Sequence, residues 1–223
     1  MNYIGKTLDE LYRIFDIVNA ERFGGELPQP MITIQKGRGS VLGHFTLGKC
    51  WRNKNNVVDG NDSIVDTDTT ALYEINIDPR WFYKKTVIDI VGVLVHEMVH
   101  YQNKLRDIKD CSGKIHNKKF KRAAEEVGLI VTKGDTVGWG YTDVSDELRD
   151  FIEQEVKPDE SCFFYFRAGE TTDDSEKKKR QKNFFKFTCP SCGQEIKGKK
   201  DSKVRCGLCD VLMEIQDDDE NDS

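Results

Sequence analysis

His96-Glu97-Met98-Val99-His100 is the stretch that most restricts what this chain can become. In an α-helix, residues four apart lie on one face about one turn apart, so both imidazoles can reach one ion. Glu97, beside the first of them, can then hold a metal-bound water and take its proton. H-E-x-x-H on a helix is the signature of zinc-dependent peptide-bond hydrolysis. Histidine is scarce, four in 223 residues, and two of the four fall here. The bland alternative is a pair of core histidines satisfied by hydrogen bonds, and the local context must decide.

That context predicts a buried, properly started helix. Thr86 with Asp89 resembles a capping box, Asp standing where Glu is usual. Val87, Ile90, Val91, Leu94, Val95 and Met98 recur at helical spacing and give a wide apolar face. Two imidazoles and a carboxylate at the end of such a helix are costly to bury unpartnered, and a metal would satisfy all three.

A mononuclear catalytic zinc needs three protein ligands and one open position. A metzincin would place Gly at 103 and His at 106; Asn103 and Arg106 exclude that class. The remaining third ligands are His116, or Glu125 or Glu126 on a helix expected over Asn117 to Val127. His116 follows the turn-like Asp110-Cys111-Ser112-Gly113 and has no apolar run around it. It is favoured over the two glutamates, whose ordinary role is a solvated helix face.

Several segments then occur in a familiar order: Glu26-Leu27-Pro28, Leu42-Gly43-His44-Phe45, Ile75-Asn76-Ile77-Asp78-Pro79, the 96–100 motif, and His116-Asn117-Lys118-Lys119-Phe120. In this the chain resembles the SprT-like metalloproteases, the group that includes the Spartan DNA–protein crosslink proteases. The resemblance covers most of residues 5–130 and continues into the C-terminal cysteines. It implies a zinc protease core with His96, His100 and His116 as ligands and Glu97 as general base. It departs at Asn117, where the family usually has Gly; Asn tolerates a left-handed backbone better than most residues.

Independently of any family, the N-terminal half reads as α+β. Thr7 and Glu10 form a capping-box pattern ahead of Leu8, Leu11, Phe15 and Val18, and Gly24-Gly25 ends that helix. Strands are expected over Met31 to Gln35, Val41 to Thr46 and Leu72 to Ile77, with Asn53 to Thr70 as a long surface loop. The strand nearest the cleft would pair with an extended substrate backbone. His44 reads as packed or hydrogen-bonded, and Cys50, Cys111 and Cys162 as ordinary thiols. Tyr101 or Tyr141 is a candidate oxyanion donor, although Trp139 and Tyr141 read better as anchors of a turn. A further helix is expected near Ser145, with Leu148, Phe151 and Ile152 on its apolar side.

Cys189-Pro190-Ser191-Cys192 and Cys206-Gly207-Leu208-Cys209 are two C-x-x-C knuckles. Their spacing fits a zinc ribbon, four thiolates on one structural ion, with Gly193 and Gly207 in the knuckle turns. No βαβ pattern supports a redox motif, and no signal peptide supports disulfides. The expected cofactors are therefore two Zn²⁺, one catalytic and one structural.

The chain is acidic overall, formally −5, yet residues 177–205 hold eleven Lys or Arg against Glu195 and Asp201. Lys177, Lys178, Lys179, Arg180, Lys182 and Lys186, interleaved with Phe184, Phe185 and Phe187, suit phosphate attraction with base stacking. The competing view makes those phenylalanines a small ribbon core and the lysines a solubilising linker. The expected plan is a zincin-like α+β core over 1–157, a charged linker over 158–183, the ribbon over 184–216 and an acidic tail over 217–223. Phe163, Phe164, Tyr165 and Phe166 are expected to pair or pack against one domain and so shorten the linker. The expected protein is a monomeric cytoplasmic zinc metalloendopeptidase acting on DNA-associated or DNA-crosslinked proteins, with the ribbon on DNA and no membrane contact. The alternative is a nucleic-acid-binding ribbon protein whose zincin core is regulatory.

Overall fold

Two long helices carry the core of the first unit: α1 (Tyr3–Arg22) and α2 (Val87–Leu105). The coordinates, a computed structural model, describe residues 2–37, 39, 41–53, 71–168 and 185–216. Most of the expected 53–70 loop, Lys177, Lys178, Lys179, Arg180, Lys182, Phe184 and the acidic tail lie outside the described residues.

In α2 the expected capping box is fully formed: Asp89 N–H donates to Thr86 Oγ1 at 3.2 Å, and Thr86 N–H to Asp89 Oδ2 at 3.0 Å. Val91, Leu94, Val95, Met98 and Val99 have no exposed surface, each burial contributing about 1.5–3 kcal/mol. In α1 the expected cap is displaced. The helix starts at Tyr3, and Asn2 caps it by accepting from Gly5 N–H at 3.0 Å. Thr7 and Glu10 lie inside the helix and tie down the end of the unit. Thr7 donates to the Cys162 carbonyl at 2.5 Å, while Glu10 accepts from Arg13 and from the Asp159 N–H at 2.8 Å. A capping-box pattern does not reveal that its polar groups have tertiary partners 155 and 149 residues away. Gly24 and Gly25, both at positive φ, turn the chain out of the helix as expected.

The first sheet has strands β1 (Met31–Ile34), β2 (Gly43–Trp51) and β3 (Leu72–Ile77) in the order β1-β3-β2. β1 runs parallel to β3 and β2 antiparallel to it. β2 starts two residues later than expected and runs on to Trp51 along the outer edge. Behind the sheet, the fully buried Asp78 carboxylate pairs with Arg80 and accepts from Gly37 N–H at 2.7 Å, fixing the loop that leads into β2.

A second sheet was not anticipated. It contains β4 (Cys111–Ser112), β5 (Ile115–His116), β6 (Leu129–Gly134) and β7 (Gly138–Val144) in the order β4-β5-β7-β6. Gly138-Trp139-Gly140-Tyr141 is therefore the start of β7 and not a turn, although Trp139 does pack against the core as expected. Two glycines in four residues hide a strand from propensity, and here they serve contacts described below. α3 (Lys118–Glu126) joins β5 to β6, and α4 (Asp146–Phe151), capped by Ser145, continues as a wider turn over Ile152–Val156. The first unit runs from Met1 to Gly169. Phe163 is buried against Phe82 in the main core, ring centroids 5.4 Å apart, so an apolar anchor outweighs the polar composition around it.

The second unit, Glu170–Ser223, contains β8 (Phe185–Thr188), β9 (Glu195–Gly198) and β10 (Glu214–Gln216) in the antiparallel order β10-β8-β9. Among its described residues the buried core is Phe187, Cys189, Cys206 and Met213. A core of that size cannot hold a domain without a staple. Among the described residues, no helix is long and apolar enough to cross a membrane.

Candidate metal centres

Three of the four histidines converge. Donor nitrogens of His96 and His100 from α2 and of His116 from β5 all lie within 4.8 Å of one another. His100 Nε2 and His116 Nε2 face each other at 3.0 Å. Two lone pairs that close need a cation or a shared proton between them.

The other ring nitrogens are committed elsewhere. His100 Nδ1 donates to the Asp110 carboxylate at 2.7 Å, and His116 Nδ1 to the Val137 carbonyl at 3.2 Å. Both partners are acceptors, so the proton sits on Nδ1 and Nε2 is left with its lone pair facing the centre. His96 Nδ1 is 2.9 Å from the Thr142 hydroxyl. Asn103 Nδ2 donates to the same Asp110 oxygen at 3.0 Å, which holds that carboxylate in place. Phe120, with no exposed surface, lies against all three imidazoles, with ring centroids 4.5–4.7 Å away. Three neutral imidazoles with oriented Nε2 atoms fit a zinc-type cation.

The titration behaviour follows from this packing. Burial pulls His96 well below 6.5, helped by the neighbouring His100 and His116. Burial likewise lowers His116, followed by the charge on His100. Burial opposes charge on His100 too, but the Asp110 hydrogen bond and the Glu97 charge outweigh it and raise the group. Burial opposes the charge on Asp110, which is nevertheless lowered through its bonds to His100 and Asn103.

Glu97 is 5% exposed. Burial pushes its carboxyl up to about 7, against the lowering effects of His100 and of the Phe45 N–H that hydrogen-bonds it. Phe45 can present that N–H to Glu97 because of the strand register. Leu42 accepts from Asp78 N–H at 2.9 Å, and Gly43, His44 and Phe45 stand opposite Ile77, Asn76 and Ile75. Antiparallel alternation then points the backbone groups of Gly43 and Phe45 off the outer edge of β2. Gly43 also lets the strand approach: a Cβ there would sit 2.9 Å from Val93 Cγ1 and 3.3 Å from Glu97 Cγ.

Glycines shape the other wall. A Cβ on Gly140 would lie 2.4 Å from His116 Nδ1, and one on Gly138 2.4 Å from the His116 carbonyl. Gly138 also has φ +59, a second reason for glycine. Neither wall glycine nor Asp110, Thr142 and Phe120 stood out in the sequence. Asp110 had been assigned to a turn; it is 4% exposed and a direct partner of His100.

The remaining candidates fall elsewhere. Glu125 and Glu126 form helix-surface pairs with Lys121 and Arg122, at 3.5 and 2.9 Å. Asn117 is not left-handed: at φ −102 and ψ −176 it is extended and caps α3, accepting from Lys119 and Phe120 N–H. His44 is exposed, on the opposite face of β2 from the buried Phe45, and not packed as expected. Tyr101 is buried against Phe45 and Tyr73 in the core, whereas Tyr141 is exposed.

In the second unit the sulfurs of Cys189, Cys192, Cys206 and Cys209 lie within 4.8 Å of one another and could hold a metal ion. The two knuckles repeat each other. Gly193 N–H donates to the Cys189 carbonyl and Asp210 N–H to the Cys206 carbonyl, both at 2.9 Å. The left-handed position after each pair is taken by Gly193 and by Asp210, φ 50, and not by Gly207. Asp tolerates that region through its short polar side chain. N–H groups of Leu208 and Cys209 aimed at the Cys206 sulfur lower its thiol to about 7.

Phe187 is buried and Phe185 packs against the same small core, so neither ring is a free stacking platform. Lys186, the described member of the expected basic set, pairs with Glu195 at 2.5 Å.

Compared with protein-family models, with curated proteins and with solved structures, the chain matches none.

Proposed function

We propose that the chain is a zinc metalloendopeptidase with a zincin-like core, in which His96, His100 and His116 hold the catalytic ion and Glu97 is the general base. The observation that carries this reading is the convergence of three Nε2 atoms whose Nδ1 atoms are committed to Asp110, Val137 and Thr142, beside a buried carboxylate. Zinc held there would polarise the scissile carbonyl and acidify a water. Glu97, near neutrality in pKa, would take the water proton and pass it to the leaving amine. The outward backbone groups of Gly43 and the Phe45 carbonyl would pair with an extended substrate, which favours sequence-tolerant cleavage. The four cysteines would hold a second, closed zinc that folds the ribbon.

The substrates are DNA-associated or DNA-crosslinked proteins, with the basic run before the ribbon on nucleic acid. Support for that part is local charge alone, since the ribbon's described phenylalanines are packed away.

The test is cleavage of a purified DNA–protein crosslink and of unfolded casein, with zinc counted per chain. The wild type should carry two zinc ions and cleave; Glu97→Gln should carry two and not cleave. Undiminished cleavage by Glu97→Gln, or a single ion per chain, would overturn the reading.

A further inference from the structure

The first unit carries exposed aromatic rings that its core does not use. Phe164 and Tyr83 are each 72% exposed, Tyr165 55%, Phe166 45% and Tyr3 42%. Scattered exposed aromatics are ordinary, but these are joined. Tyr3 lies tilted at 37° against Tyr165 with centroids 4.2 Å apart, and Tyr83 at 31° against Phe166 at 4.9 Å. The strip is held in place at both ends. Phe163 is sunk into the core against Phe82, and Arg167 N–H donates to the Pro79 carbonyl at 3.2 Å. Rings fixed in this way lose little conformational freedom when a ligand settles on them.

The rim is cationic. Lys84, Lys85 and Arg167 are exposed beside the rings. A groove of about 200 Å³ opens between Lys85, Ile90 and Phe164, and Glu160 is the one carboxylate among the residues lining it. A purely apolar partner would gain nothing from that rim. A duplex would offer its phosphates but keep its base faces sealed. A single strand offers phosphates to the cations and base faces to the rings.

We infer that the strip formed by Tyr3, Tyr83, Phe164, Tyr165 and Phe166 is a stacking surface for single-stranded nucleic acid. It is separate from the ribbon and does not rest on the peptidase reading.

The experiment uses the full chain and fluorescein-labelled strands read by anisotropy: a 20-nucleotide oligo-dT, an abasic backbone of equal length, and a duplex. Tyr83→Ala with Phe164→Ala should weaken oligo-dT binding about tenfold or more and leave the abasic backbone unaffected. Replacing both residues by Trp should restore binding. Photocrosslinking of an iodouracil-substituted strand should label the 164–166 segment. Unchanged affinity, an equal loss on the abasic backbone, or crosslinks confined to the second unit would each overturn the inference. Capture by phosphatidylserine vesicles in place of oligo-dT, or self-association lost in the double variant without any effect on DNA, would do the same. Cleavage of casein is a separate readout, so loss of strand binding with cleavage intact leaves the peptidase reading standing.

Discussion

Glu97 costs the metal-free fold stability, and Glu97→Gln should expose that cost. In the unfolded chain the carboxyl titrates near its ordinary 4.5; in the fold, burial raises it to about 7. Between these values the folded state binds more protons than the unfolded one, so stability falls as pH rises across the interval. Relative to low pH the full penalty is present above about 7. At 1.36 kcal/mol per tenfold, the gap corresponds to about 3 kcal/mol. Gln has the same shape, carries no charge, and can still accept from the Phe45 N–H. For a unit running from Met1 to Gly169, a gain of that size is worth about 6–12 °C in Tm. The assay is thermal melting in excess chelator, wild type against Glu97→Gln, at pH 5 and pH 8. The variant should melt higher at pH 8, and the difference should shrink towards pH 5. Parallel melting curves at both pH values would mean that Glu97 is ionised and hydrated without metal, and the burial argument would fail.

Asp110→Ala should weaken zinc binding at the histidine site about 10–100-fold, measured by competition with a chromogenic chelator, because His100 loses the partner that fixes its tautomer. Gly140→Ala should lower zinc occupancy at the same site while leaving the ribbon zinc in place, since the added methyl collides with His116 Nδ1; metal content after gel filtration reports this. Acidifying the chelator-treated chain below about 6.5 should lower its Tm through His96 and His116. Their depressed pKa values favour the neutral forms in the fold, so the unfolded state takes up protons first. The raised His100 works in the opposite direction, with stability present below 6.5 and lost as pH rises through its folded value, so the fall should deepen in His100→Gln. Stripping the ribbon metal should erase the amide protection of Phe185–Thr188 and leave that of α2 unchanged, read by hydrogen exchange.

The α2 helix was legible because its signals are local. Its periodicity, its Thr86–Asp89 box and its H-E-x-x-H all lie within one element, and both box bonds are formed. The cysteine knuckles were legible for the same reason. What stayed hidden was long-range. Thr7 and Glu10 look like a cap and act as tertiary ties. Asp110 looks like a turn residue and is an acceptor for His100. Gly138 and Gly140 look like a turn because glycine weakens strand propensity, yet their bare backbones make room for His116. Phe163, one of four aromatics in a polar stretch, was expected to pack on a domain, but its partner Phe82 was not readable from the sequence. In each case the residue's role is set by a partner that sequence proximity does not identify.

Phe120 has a consequence for how the histidine site responds to heat. One ring with no exposed surface touches all three imidazoles, and the rest of it belongs to the main core. A rotamer hop at this single position would disturb His96, His100 and His116 together, whereas a comparable hop at Leu94 would not reach them as a set. In compact, partly unfolded states side-chain packing is lost while secondary structure persists. The trio should therefore come out of alignment while the helices still give their full far-ultraviolet signal, so a metal held by the three imidazoles should be released several degrees before the chain melts.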